Sequence, residues 1–360
     1  MKLQVVVLAV VVVLAVGSVQ ADVFNMGGTL NPSTGTWTGA ASLEFVTVGN
    51  PGNAADTATG YGAVGYGYQM GKYDVTVGQY CQFLNAVAAT DTYGLYTSSI
   101  PNRYMPTIGI AQSGSSGNYS YSVTGGYSQG VNCPVVGVSW GDAARFCNWL
   151  QNGQPTSGVE NASTTENGAY TLNGAITDSA LMAVTRNAGA TYFIPSENEW
   201  YKAAYYKGGN TNAGYWAYPS QSNDAPSNVL SVTGTNNANY YSYFSGYTDR
   251  TNYLTPVGAF AASPGPFGAY DMGGDVYQWN EGTVLLSGVL YRCLRGGDWG
   301  NYASNLASSY RTDDGFPDDE YIHDIGFRVA SVPESGSLIL LLAGAACLLA
   351  HAWRRRKGTA

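Results

Sequence analysis

The sequence predicts an α+β fold, rich in loops, with few short helices and strands. Two observations carry this expectation. A unit of short strand, Ser/Thr cap and amphipathic helix occurs three times, and the stretches between the units are long and lack helical or strand period. With 47 Gly and 29 Tyr but only 11% charged residues, the chain buries aromatic rings under Gly/Asn/Ser loops rather than building long helices.

Each unit has its own signature. The first runs Lys72-Tyr73-Asp74-Val75-Thr76. Thr76 and Gln79 have capping-box spacing, and Tyr80, Phe83, Leu84 and Val87 follow on one helical face. The second runs from Pro134 to Ser139; Ser139 and Asp142 form a looser box ahead of Ala143, Phe146, Cys147 and Leu150. The third runs from Tyr192 to Ser196, pairs Ser196 with Glu199, and presents Trp200, Ala203 and Ala204. Between them, 90–131 and 151–191 read as hairpins and surface loops, and 208–262 has almost no periodicity. A compact domain with so much loop needs a staple. Its Asp and Asn residues point to a metal ion.

The closing stretch is Arg292–Arg328. Arg295-Gly296-Gly297-Asp298-Trp299 marks one end and Gly326-Phe327-Arg328 the other, around a polar segment without period. Long loops of this kind are functional or disordered. Trp299, Tyr302, Tyr310, Phe316, Tyr321 and Phe327 argue against disorder. The stretch is expected to be ordered and to line the main cleft.

A formal charge of −8 argues against nucleic acid as a partner, which needs a basic patch for phosphate contacts. It favours neutral or cationic partners, or calcium. Residues 1–21 read as a secretory signal: Lys2, then the apolar run Val5–Val16, then small residues near Val19 and Ala21. A buried first strand is the alternative. Residues 22–42 form a lead-in, 43–330 the domain, and 331–360 a tail. The tail joins Val332-Pro333-Glu334-Ser335 to the apolar run Leu338–Trp353 and then to Arg354-Arg355-Arg356-Lys357, a cluster expected to stay cytoplasmic. The body is therefore expected to be exported to the cell envelope or surface, and held at the membrane by its C-terminal helix at least transiently.

Five cysteines occur, at 81, 133, 147, 293 and 347. The four outside the tail allow up to two disulfides in an oxidising compartment. Cys81 and Cys147 also read as buried thiols on apolar helix faces, and Cys293 as a core-facing strand residue. No spacing resembles a zinc site.

The segments Met70–Ala88, Pro134–Leu150, Ile194–Tyr205, Pro256–Phe260, Gly268–Asn280 and Arg295–Arg328 together resemble the formylglycine-generating enzyme (sulfatase-modifying factor) family. The resemblance covers Leu43–Ala330 and implies a variant of the C-type lectin fold. Enzymes of that family oxidise a cysteine of a sulfatase peptide with copper, held by two cysteines just after the Gly-Gly-x-aromatic motif. Soft Cu(I) needs those thiolates. Asn301 stands at the first position and Leu306 near the second, and no cysteine lies between Cys293 and Cys347. Copper and formylglycine generation are thus not expected. Relatives in ergothioneine synthesis use a three-His iron site, but this chain has only His323 and His351. The resemblance also implies structural calcium, held by Asn239 and Asp249 with backbone oxygens of Tyr240 and Thr251. At a second site Asp275 and Gln278 replace the family's Asn and Glu, still offering a carboxylate and an amide oxygen. The tail resembles a PEP-CTERM sorting signal, with Ser335 in place of the usual second Pro, and implies an exosortase-type processing enzyme as a partner.

Three readings of function stay open. In one, Asp298, Trp299, Asn301, Tyr302, Asn305, Tyr310 and Arg311 form a surface for a protein or glycan ligand, in the manner of Tyr/Asn/Ser-rich paratopes. In another, the same cleft serves an enzyme of the superfamily with altered chemistry. In the third, the protein is structural and its own side chains fill the cleft. No Ser-His-Asp constellation is available, and Asp313-Asp314 and Asp318-Asp319-Glu320 read as solvated loop.

Overall fold

The computed structural model describes residues 24–97, 107–319 and 324–332. Residues 1–21, read as a secretory signal, residues 333–360 of the expected tail, Glu320, Tyr321 and His323 lie outside them, whereas Ser331 and Val332, expected to open the tail, belong to the folded body, Ser331 in its last strand. Among the described residues no helix is long and apolar enough to cross a membrane.

In chain order the elements are β1 (Thr29–Asn31), β2 (Thr36–Thr38), β3 (Phe45–Val48), β4 (Tyr68–Gly71), α1 (Val77–Val87), β5 (Ile110–Ser113), β6 (Ser120–Val123), α2 (Trp140–Gln151), α3 (Asp178–Met182), β7 (Tyr192–Phe193), α4 (Glu197–Tyr205), β8 (Tyr277–Leu286), β9 (Val289–Arg295), β10 (Thr312–Gly315), β11 (Ile325–Phe327) and β12 (Ala330–Ser331). One four-stranded antiparallel sheet has the order β3-β4-β12-β7; another runs β10-β9-β8-β11, with β11 parallel to β8. The pairs β1–β2 and β5–β6 are separate hairpins. This is the loop-rich α+β architecture read from the sequence.

All three capping boxes form. Thr76, Ser139 and Ser196 each accept from the backbone N–H three residues on, and Gln79, Asp142 and Glu199 reach back to the cap N–H. Two of the three strands expected before these caps do not form. Lys72–Thr76 and Pro134–Ser139 form no ladder and meet at the single bridge Thr76–Pro134. Pro134 has no N–H to extend a ladder, and Gly137 turns the chain with φ 72°. Only Tyr192–Phe193 is a strand.

The core forms where α1 and α2 meet the second sheet. Phe83, Phe146 and Trp149 pack edge-on or tilted at 5.3–5.6 Å, and Phe327 of the Gly-Phe-Arg motif meets Phe146 at 5.3 Å. Cys81, Cys133, Cys147 and Cys293 are all buried free thiols, so the described residues contain no disulfide. Burial pushes the Cys293 thiol up to about 12, assisted by the charge of Glu197.

Three arginines brace the closing stretch from inside. Arg292 stacks 3.9 Å over Trp140 and donates to the carbonyls of Leu181, Val184 and Glu281. Arg295 bonds Glu197 at 2.7 Å. Arg328 reaches Asp74 and the carbonyls of Gly71 and Tyr270. Each therefore ties the closing stretch to an early or middle part of the chain through groups withdrawn from water.

Candidate ligand cleft

The motif after β9 turns on glycine geometry. Gly297 has φ 71°, and a Cβ there would lie 2.9 Å from Leu306 Cδ1. Gly274, with φ 82°, passes so close to Asn239 that a Cβ would sit 2.1 Å from its carbonyl oxygen. No side chain fits at either point. These two turns bring the loop after β9 against the loops holding 239–253 and 271–275. Trp299 N–H donates to the Asp275 carbonyl, and Asp275 N–H to the Asn239 carbonyl.

Around this junction lies a chain of rings. Tyr253 meets Trp299 at 4.7 Å, Tyr247 meets Tyr253 at 4.9 Å and Trp299 at 5.6 Å, Tyr241 meets Tyr247 at 4.8 Å, and Tyr302 closes on Tyr241 at 5.7 Å. Tyr302 is 53% exposed, and next to Tyr241 the turn tip presents Tyr243 and Phe244 at 77% and 97%. Tyr241, Tyr247 and Tyr253 recur every six residues, a signal missed because neither helix nor strand has that period.

Beside the rings is a polar nest. The Tyr277 hydroxyl donates to Asn301 Oδ1 at 2.5 Å, accepts from Asn305 Nδ2 at 3.3 Å and lies 3.5 Å from the Tyr310 hydroxyl. Asp298 is buried. Its Oδ1 accepts from Gly300 N–H, while its Oδ2 has no hydrogen-bond partner among the described residues; nor has Trp299 Nε1. Burial first, and the charge of Asp324 second, push the Asp298 carboxyl up to about 8. The Asp298 carbonyl accepts from Asn301 N–H, so the carboxyl stands on the same turn as a member of the nest, next to Trp299 of the rings.

Six of the seven cleft residues read from sequence thus converge: Asp298, Trp299, Asn301, Tyr302, Asn305 and Tyr310. Arg311 commits its guanidinium elsewhere, to Glu197 at 2.8 and 3.0 Å and to Cys293 Sγ. Tyr277, Tyr241, Tyr247 and Tyr253 complete the group.

The residues assigned to calcium are placed differently. Asn239 Nδ2 donates to Asp275 Oδ1 at 2.8 Å, which joins one residue from each expected site. Asn239 Oδ1 is buried without a partner among the described residues. Asp275 also accepts from Thr255 N–H and Oγ1, and burial with the charge of Asp271 pushes its carboxyl up to about 7. Asp249 caps its own turn through the N–H groups of Thr251 and Asn252, and the Tyr240 carbonyl accepts from Asn228. Gln278 stands apart: its Oε1 accepts from Trp200 Nε1 at 2.7 Å and Arg328 Nε at 3.2 Å.

Residues 45–332 match the model of the sulfatase-modifying factor enzyme 1-like domain. The chain belongs to this family. Solved structures to which this family member is similar include CarF, at 22% identity over 81% of this chain and 99% of that one, with a TM-score of 0.48. Treponema denticola variable protein 1 is 17% identical over 81% and 96%, with a TM-score of 0.44. PvdO from Pseudomonas aeruginosa is 20% identical over 82% and 94%, with a TM-score of 0.40. No curated protein matches.

Proposed function

We propose that this sulfatase-modifying-factor-like protein is an exported, envelope-associated module that binds a protein or glycan ligand on the Tyr241–Tyr247–Tyr253–Trp299–Tyr302 face. The observation that carries the reading is what the structure has at Asn301 and Leu306, the residues that the resemblance sets at or near the family's copper cysteines. Asn301 is held by the Tyr277 hydroxyl, and Leu306 is buried against Ala238 and Tyr240. An amide and a buried aliphatic chain supply no thiolate, so a thiolate-held copper does not fit. Linked rings with wet polar edges give large contact area at small entropic cost.

Calcium fits the same reading as a structural ion. Asn239 and Asp275 would hold it, and the orphaned Asn239 Oδ1 is the feature that supports this; Asp249 instead spends its carboxylate on Thr251 and Asn252 of its own turn. Gln278 does not fit as a ligand, because its oxygen serves Trp200 and Arg328.

The test pairs binding with turnover. Immobilised envelope oligosaccharides and peptidoglycan fragments should retain the wild-type protein. Tyr241→Ala with Tyr302→Ala should weaken retention about tenfold, as expected for two lost ring contacts. Equal retention of both proteins would reject the face. Mass spectrometry of a Cys-Thr-Pro-Ser-Arg peptide, incubated with protein, copper, oxygen and thiol, should show no conversion. A catalytic reading has one specific support: Asp298 offers an unpaired oxygen and holds its proton near neutral pH, as a general acid would. Conversion of any probe that is lost in Asp298→Asn would favour it over binding alone.

A further inference from the structure

The β8–β9 ribbon ends in an apolar tip that the body does not cover. Leu286 pairs with Val289, Leu285 with Leu290 and Val284 with Tyr291, around a two-residue turn at Ser287 and Gly288. Both turn residues have positive φ, 50° and 84°, the geometry that joins twisted strands tightly. Leu285 is 69% exposed, and Leu286, Val289 and Leu290 are 43% each. From Gly282 to Tyr291 there is no charged residue.

Alternation in a strand sends Leu285 and Leu290 to one face of the ribbon and Leu286 and Val289 to the other. A protein partner or a second copy would cover one face and leave its opposite in water. A tip apolar on both faces fits a surrounding apolar medium instead. The chain beyond the described residues points the same way. Past Val332 only Pro333–Ser337 precede the apolar run Leu338–Trp353 and its basic cluster. Five residues span about 17 Å at most, so a tail held in a membrane keeps the body against its surface.

We propose that Leu285–Leu290 dips into the bilayer that holds the tail, making a second contact with the membrane. The inference rests on the envelope-associated reading above. Entry is shallow. The ribbon's outer edges have no neighbouring strand at 283–286 and 289–291 among the described residues, and unpaired backbone groups resist the hydrocarbon core. Tyr291 and Phe316, 4.7 Å apart at the base of the tip, are the residue types that sit at a membrane interface. Three residues from Tyr291 to the turn reach about 10 Å, an interfacial depth.

The test uses the full chain with phosphatidylethanolamine/phosphatidylglycerol vesicles carrying brominated acyl chains. Leu285→Trp adds a reporter at a position too exposed to disturb folding. Flotation with vesicles, together with loss of the added emission on bromination, is the expected result. Flotation without quenching leaves membrane association standing and overturns the tip. Failure to float overturns both. Cross-linking of two tips through Leu285→Cys without quenching would assign the surface to a second copy and also overturn the lipid contact.

Discussion

At the scale of single residues, Asp298 is where chemistry and stability meet. Its folded carboxyl is held near 8 while an unfolded aspartate titrates near 4. The folded state therefore holds the proton more tightly. The stability this group contributes is full below about pH 4 and is lost as the pH rises toward about 8. Asp298→Asn removes the titration, so thermal unfolding followed from pH 5 to pH 8 should show a shallower decline in the variant than in the wild type. Parallel curves would mean that Asp298 is solvated. The identity of this residue as a cleft member was legible because it follows Gly296-Gly297 directly. Its partners were not. Tyr253 packs on the neighbouring Trp299, and that meeting depends on the close passage of Gly274 against Asn239, a contact between distant segments. Arg311 was misplaced for the converse reason: nothing local shows that Glu197 already holds it.

At the scale of elements, the helices were the most legible part, since a cap and its helix are set by neighbouring residues. Removing one cap by Ser196→Ala should cost about 1 kcal/mol in urea unfolding. Glu197, one residue on, is a different case. It receives both Arg295 and Arg311 and sits almost entirely out of water. Glu197→Gln leaves two guanidinium groups in that environment without their counter-charge, and should cost about 3–5 kcal/mol in the same measurement. A cost no larger than that of the cap variant would show that water reaches the pair. The run before the second cap looked like a strand because its Val135, Val136 and Val138 carry the strand pattern. Pro134 and Gly137 show why the pattern failed there: one withholds a donor and the other turns the chain. The β8–β9 ribbon escaped notice because Ser287-Gly288 is a weaker turn signal than Asn-Gly.

At the scale of the molecule, the family was readable from ordered motifs spread along the chain, while the strand pairings were not. The β3-β4-β12-β7 sheet is assembled from strands far apart in sequence, and no local pattern announces that β12 lies beside β4 and β7. The loop-rich half is where a structural cation would act. If calcium bridges Asn239 and Asp275, a chelator should lower the melting temperature of a metal-loaded sample. Saturation at a hundred times the dissociation constant contributes about 2.7 kcal/mol. Asp275→Asn should remove most of the chelator response, and an unchanged shift in that variant would place the ion elsewhere.

The position of β12 also has a consequence for the order in which the protein is made. It is an internal strand of its sheet, yet only Val332 follows it among the described residues. Arg328 just before it reaches back to Asp74 and Gly71. While synthesis is incomplete, β4 and β7 have a gap between them and Asp74 waits without its arginine. A chain threaded N-terminus first through a narrow translocation channel would hold that gap open until its last folded residues emerged. For a chain exported in that way, closure of the domain would be tied to completion of transfer, and a chain stalled partway would stay unlocked and pliable.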